Sequence, residues 1–66
     1  MKKYEVIAET DKNHIHFSTE AHHAYEAHIR AVDAVANNEE LDQIEAMKAI
    51  TSLTVDQIDE TLGYVL

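Results

Sequence analysis

None of the 66 residues is a cysteine, and this constrains the fold more than any other feature. Without thiols there is neither a disulfide framework nor a thiolate metal site, so so small a chain must rely on helix packing or self-association for stability. A chain of this length reads as one domain, residues 1–66, and such a domain buries only about 60% of the surface its unfolded form exposes. That leaves a thin core and little room for an enclosed active site. Hydrophobic residues at 45% and aromatics at 6% fit a folded domain built of Ala, Ile, Leu and Val better than a disordered acidic tail.

Met1-Lys2-Lys3 begins like a signal peptide, but Glu5, Glu9 and Asp11 occupy the stretch where the apolar segment would have to be. No apolar run approaches the roughly 18 residues needed to span a bilayer. A cytoplasmic protein is expected. A net charge of −8 opposes direct binding to anionic lipid or to nucleic acid, so the expected partner is a basic protein.

Tyr4–Ala8 and His14–Ser18 are β-prone runs flanking Thr10-Asp11-Lys12-Asn13, a sequence suited to a tight turn. Pairing Ala8 with Ile15 and Val6 with Phe17 puts Tyr4, Val6, Ala8, Ile15 and Phe17 on one face by strand alternation. Glu5, Ile7, Glu9, His14 and His16 then share the wetter face, with Glu9 opposite His14.

Three helices are expected to follow. Ser18 or Thr19 is placed to cap a helix reaching about Ala36, with Ala21, Tyr25, Ile29, Val32 and Ala36 on its apolar stripe. Asn37 with Glu40 reads as a capping box, with Ala36 and Leu41 as its staple, starting a second helix near Glu39 that carries Leu41, Ile44, Met47 and Ile50. Thr54 with Gln57, flanked by Leu53 and Ile58, repeats the pattern for a third helix from about Val55 to Leu62, ended by Gly63. Tyr64-Val65-Leu66 is an apolar tail placed to pack on the core or add a strand. The expected fold is α+β, an N-terminal β-hairpin followed by three short helices. Its expected core is Val6, Phe17, Tyr25, Ile29, Val32, Leu41, Ile44, Ile50, Ile58 and Leu62.

A catalytic reading finds little support. Ser18 and Ser52 are the only serines and sit in no nucleophile arrangement, and the single Gly63 makes no phosphate loop. The carboxylate pairs Glu39-Glu40, Asp42-Glu45 and Asp59-Glu60 fall on expected helix surfaces, without the cleft that acid/base chemistry needs. Five histidines call for a metal test. His14 and His16 share a strand face, but on a helix His22 points about 100° from His23 and about 120° from His28, so the ligands do not converge. His22 and Glu26 form an i,i+4 pair. No metal and no cofactor are expected.

Charge is more informative. Residues 1–36 carry six acids and four bases, whereas residues 37–66 carry seven acids and only Lys48. Carboxylates three or four positions apart on a helix stand about 5–6 Å apart at Cβ, a spacing on the scale of a phosphate backbone. Rows built from Glu39, Glu40, Asp42, Glu45, Asp56, Asp59 and Glu60 are therefore suited to a Lys/Arg groove made for nucleic acid. By these residues, by size and by its lack of catalytic motifs, the chain resembles the small acidic bacteriophage proteins that take over host proteins. Among them are DNA mimics that block nucleoid proteins such as HU or other DNA-handling factors. The resemblance implies a non-catalytic inhibitor occupying the DNA-binding surface of a basic host protein, with those seven acids as the contact residues. Two other readings stand beside it: a regulatory or scaffold domain binding a partner helix, and a His/carboxylate metal protein.

A homodimer is also expected, by one of two routes. Ala24, Ala27, Ala31 and Ala34 lie within about 80° of one another on the first helix and permit close approach. Alternatively, strand Lys3–Glu9, left at an edge, would extend the sheet into a second copy.

Overall fold

The computed structural model describes residues 1–58. Alternation rules strand β1, Lys2–Glu9: Tyr4, Val6 and Ala8 are buried, and the residues between them face outward. Thr10–Asn13 turns the chain into β2, His14–Ala21, which pairs antiparallel with β1 in the anticipated register, Val6 opposite Phe17, Ala8 opposite Ile15 and Glu9 opposite His14. Helix α1, Ala24–Glu39, covers one face of the sheet, helix α2, Gln43–Ala49, packs beside it, and β3, Ser52–Ile58, returns along the other side of β1. The sheet order is β2-β1-β3 and all pairs are antiparallel.

The hairpin followed by three helices is therefore corrected to a three-stranded sheet with two helices. The capping pattern at Thr54 and Gln57 does not start a helix. Leu53 and Val55 are half-buried while Ser52, Thr54 and Asp56 are exposed, a period of two that fits a strand. β1 also needs a second neighbour: its outward N–H and C=O groups are met by β3, with Val6 opposite Val55 and Ala8 opposite Leu53. Leu62, Gly63 and the tail Tyr64-Val65-Leu66 lie outside the described residues.

The first helix starts later than expected. β2 runs on through Ser18 and Thr19 to Ala21, and the N-cap is His23, whose Nδ1 accepts the Glu26 N–H at 3.3 Å. The helix then passes Asn37 without a break. Ala36 and Leu41 do meet, but at a C-terminus: Leu41 N–H donates to the Ala36 carbonyl at 2.9 Å and Glu40 takes the left-handed conformation, φ 57°, closing α1. The capping box that starts α2 is Asp42 with Glu45: Asp42 Oδ1 accepts the Glu45 N–H at 2.8 Å, and Glu45 Oε1 accepts the Asp42 N–H at 3.4 Å.

The buried face of α1 is also different. Ala27, Ala31, Val32, Val35 and Ala36 face the sheet, whereas Tyr25 is 68% and Ile29 40% exposed. On α2 only Ala46 is buried, leaving Ile44 66% and Met47 58% exposed. Of the expected core, Val6 and Val32 are buried, Phe17, Leu41, Ile50 and Ile58 are half-buried, and Tyr25, Ile29 and Ile44 are outside. The reason is size. Helix and sheet approach closely only where side chains are small, so alanine lines the contact and the bulkier residues are displaced to its flank. Both anticipated dimer routes are closed by this packing, since Ala27 and Ala31 are consumed within the chain and β1 lies in the middle of the sheet. Among the described residues no helix is long and apolar enough to cross a membrane.

Candidate acidic interface

The acids singled out in the sequence do not form one row. Glu39, Glu40, Asp42 and Glu45 gather where α1 turns into α2, and Asp56 lies on the open face of the sheet. Asp59 and Glu60 lie outside the described residues.

At the corner each carboxylate is fixed differently. Glu39 reaches the hairpin turn, its Oε2 accepting from the Thr10 hydroxyl at 2.6 Å and from Asn13 Nδ2 at 3.2 Å. The Thr10 hydrogen bond, then that from Asn13, hold the Glu39 carboxyl below the usual carboxylate range against the opposing effect of burial, with the Lys12 charge adding to the lowering. This latch brings Asp11 and Lys12 beside Glu39, Leu41 and Ala49. Asp42 and Glu45 are occupied in the capping box, which orients them but leaves both exposed. Glu40 is exposed at the left-handed position, where glycine or asparagine ordinarily sits. Glu39 and Glu40 also stand at the negative end of the α1 dipole, and no basic residue occupies the last turn of that helix.

The open face of the sheet is a second acidic region that the helical reading hid. Asp56 lies directly opposite Glu5 across β1 and β3, an unfavourable like-charge pair, and Glu9 and Glu20 share the same face. Glu20 was hidden because it was read as helical; strand alternation carried two residues further would have found it. Histidines interleave with these acids: His16 Nε2 lies 3.5 Å from Glu5, and His14 Nδ1 lies 3.4 Å from Glu9. On the helical side His22 Nδ1 is 3.3 Å from Glu26, which also meets Arg30 at 3.0 Å. The His22 hydrogen bond foremost, with the charges of His22, Arg30 and His23, holds the Glu26 carboxyl below the usual range, opposed by burial. Arg30 in turn donates to Thr19 Oγ1 at 2.8 Å and to the Glu20 carbonyl, tying α1 to the end of β2. Among the described residues no three His, Asp or Glu side chains converge as a metal-binding group.

Compared with protein-family models, curated proteins and solved structures, the chain matches none.

Proposed function

We propose that the protein is a non-catalytic, cytoplasmic binding protein whose acidic corner, Glu40, Asp42 and Glu45 with Glu39 behind them, occupies the DNA-contacting surface of a basic protein. The observation that carries this reading is the placement of Glu40. It sits where the helix dipole opposes negative charge and takes a backbone conformation that costs a non-glycine residue about 1 kcal/mol. A chain selected for stability alone would carry Gly or Asn at position 40. The capping box adds rigidity, because Asp42 and Glu45 are oriented before any partner arrives. Asp56 belongs to the sheet face and contributes through the long-range field, as do the other open-face acids.

The test is displacement. Added to a complex of a nucleoid protein such as HU with labelled duplex DNA, the protein should release the DNA, and its affinity should fall steeply with salt. A complex that stays intact at saturating protein in low salt refutes the DNA-mimic reading.

A further inference from the structure

The two helices leave a second surface that the acidic corner does not use. Tyr25, His28, Ile29 and Val32 of α1 and Gln43 and Met47 of α2 line an open groove, with Ile44 beside Met47 on the outer side of α2. The exposed Tyr25 ring stacks between those of His23 and His28, at 6.4 and 6.3 Å between centroids. The groove continues past Val32 and Met47 to Ile50 and Leu53 at the start of β3.

We propose that this groove is the contact between two copies of the chain, packed about a two-fold axis with α1 of each against α2 of the other. Area argues for it. Tyr25, Ile29, Ile44 and Met47 together expose on the order of 400 Å² of largely apolar surface, about half of what each partner contributes to an interface of standard size, and the groove walls supply more. Need argues for it as well, because among the described residues the largest wholly enclosed side chains are those of Val6 and Val35. Charge then selects a second copy over another apolar partner. Asp33, whose Oδ1 accepts from Gln43 Nε2 at 2.6 Å at the edge of the groove, flanks Ile29 at the i+4 position of α1, and Lys48 flanks Ile44 at i+4 on α2. Lys48 has no ion-pair partner among the described residues. A two-fold axis that lays Ile29 against Ile44 of the partner brings Lys48 of each copy towards Asp33 of the other, which is the self-complementarity an isologous interface requires.

Two copies of net charge −8 repel each other at long range, so this dimer is expected to tighten as salt rises. That response is opposite to the one expected of the acidic corner, and the two proposals therefore fail separately. Sedimentation of the full chain from micromolar to submillimolar concentration, in low and high salt, is the experiment. The expected result is a reversible monomer–dimer equilibrium shifted towards dimer by salt, monomeric Tyr25→Glu and Ile44→Glu variants with unchanged far-UV circular dichroism, and dimerisation weakened several-fold by Lys48→Glu. A wild type that stays monomeric throughout overturns the proposal and leaves the groove to a partner of other chemistry. So does a dimer that survives both Tyr25→Glu and Ile44→Glu, which would place the contact elsewhere, for instance at the outer edge of β2 or β3.

Discussion

Glu39 Oε2 accepts the Thr10 hydroxyl at 2.6 Å, joining the last turn of α1 to the turn between β1 and β2 across 29 positions of sequence. The same oxygen takes Asn13 Nδ2, so one carboxylate holds the hairpin turn against the helix end. Because these bonds favour the ionised form, the carboxyl is held below its unfolded value and the unfolded chain binds the proton more readily. The stabilisation is thus complete at neutral pH and is lost as pH falls from the ordinary carboxylate range through the lowered folded value. Glu39→Gln should reduce the neutral-pH melting temperature and flatten the acid limb of a plot of melting temperature against pH. The part of the slope that Glu26 supplies should remain until Glu26→Gln removes it. An acid limb identical to wild type in both variants would mean that neither carboxylate is linked to folding.

Exposure of Ile29 and full burial of Val35 give opposite outcomes for the same chemical change. Val35→Asp places an unpaired charge against Ala8, Val32 and Ala46 and should abolish the cooperative melt. Ile29→Asp should retain the native circular dichroism and a cooperative transition. Val35→Ala, which only deletes methyl groups, should cost about 2 kcal/mol in urea denaturation.

What the sequence disclosed and what it withheld divide along a physical line. The hairpin register was legible because alternation in Tyr4-Glu5-Val6-Ile7-Ala8 and Ile15-His16-Phe17 has only one side that buries both strands. The face of α1 was not, because hydrophobic size points Tyr25 and Ile29 inward, whereas close packing on a small sheet selects Ala27, Ala31 and Ala36 and leaves Tyr25 outside. Local punctuation was ambiguous in the same way. Ala36 and Leu41 are as consistent with an N-terminal staple as with the C-terminal closure they make, and Thr54 with Gln57 mimics a cap within a strand. The demand that settles position 54 is non-local: β1 has two sides to pair. For the acids, the local charge count located the α1–α2 corner but not that Asp42 and Glu45 are bonded to each other, and it placed Asp56 in a helical row instead of opposite Glu5.

Strand β3 makes its own prediction. As an edge strand it directs alternate amides at β1 and the others away from the sheet, so hydrogen exchange over residues 52–58 should show protection at every second position. A helix there would protect successive amides. Continuous protection would instead mark pairing of β3 with another chain.

The start of α2 is testable against the alternative cap. Asp42→Ala removes the acceptor of the Glu45 N–H and should destabilise the protein by about 1 kcal/mol. Asn37→Ala, at an exposed position inside α1, should be neutral or slightly stabilising because alanine is the better helix former. Thermal melts of the two variants give opposite signs if α1 runs through position 37. The capping role also governs how the acidic corner is probed. Reversing Asp42 and Glu45 to Lys would break the box along with the field, whereas Asp42→Asn with Glu45→Gln removes the charges and retains groups able to make the bonds.

Glu40 separates stability from function most sharply. Its left-handed backbone, φ 57°, carries a penalty that glycine does not, and its charge opposes the α1 dipole, so Glu40→Gly should stabilise the protein by about 1 kcal/mol. The same substitution removes one carboxylate from the corner proposed to meet a basic surface, and for an exposed charge acting through the collective field the loss should appear mainly as slower association, with a change in binding of about 0–1 kcal/mol. Combined with Asp42→Asn and Glu45→Gln, it should leave a folded protein that melts above the Asp42→Asn/Glu45→Gln double variant and no longer displaces DNA from a basic protein. Melting temperature and DNA displacement measured on the three variants side by side test this. A Glu40→Gly protein that is more stable, combined with a triple variant that still competes as well as wild type, would show that the strained carboxylate serves no contact and would remove the corner as the binding surface.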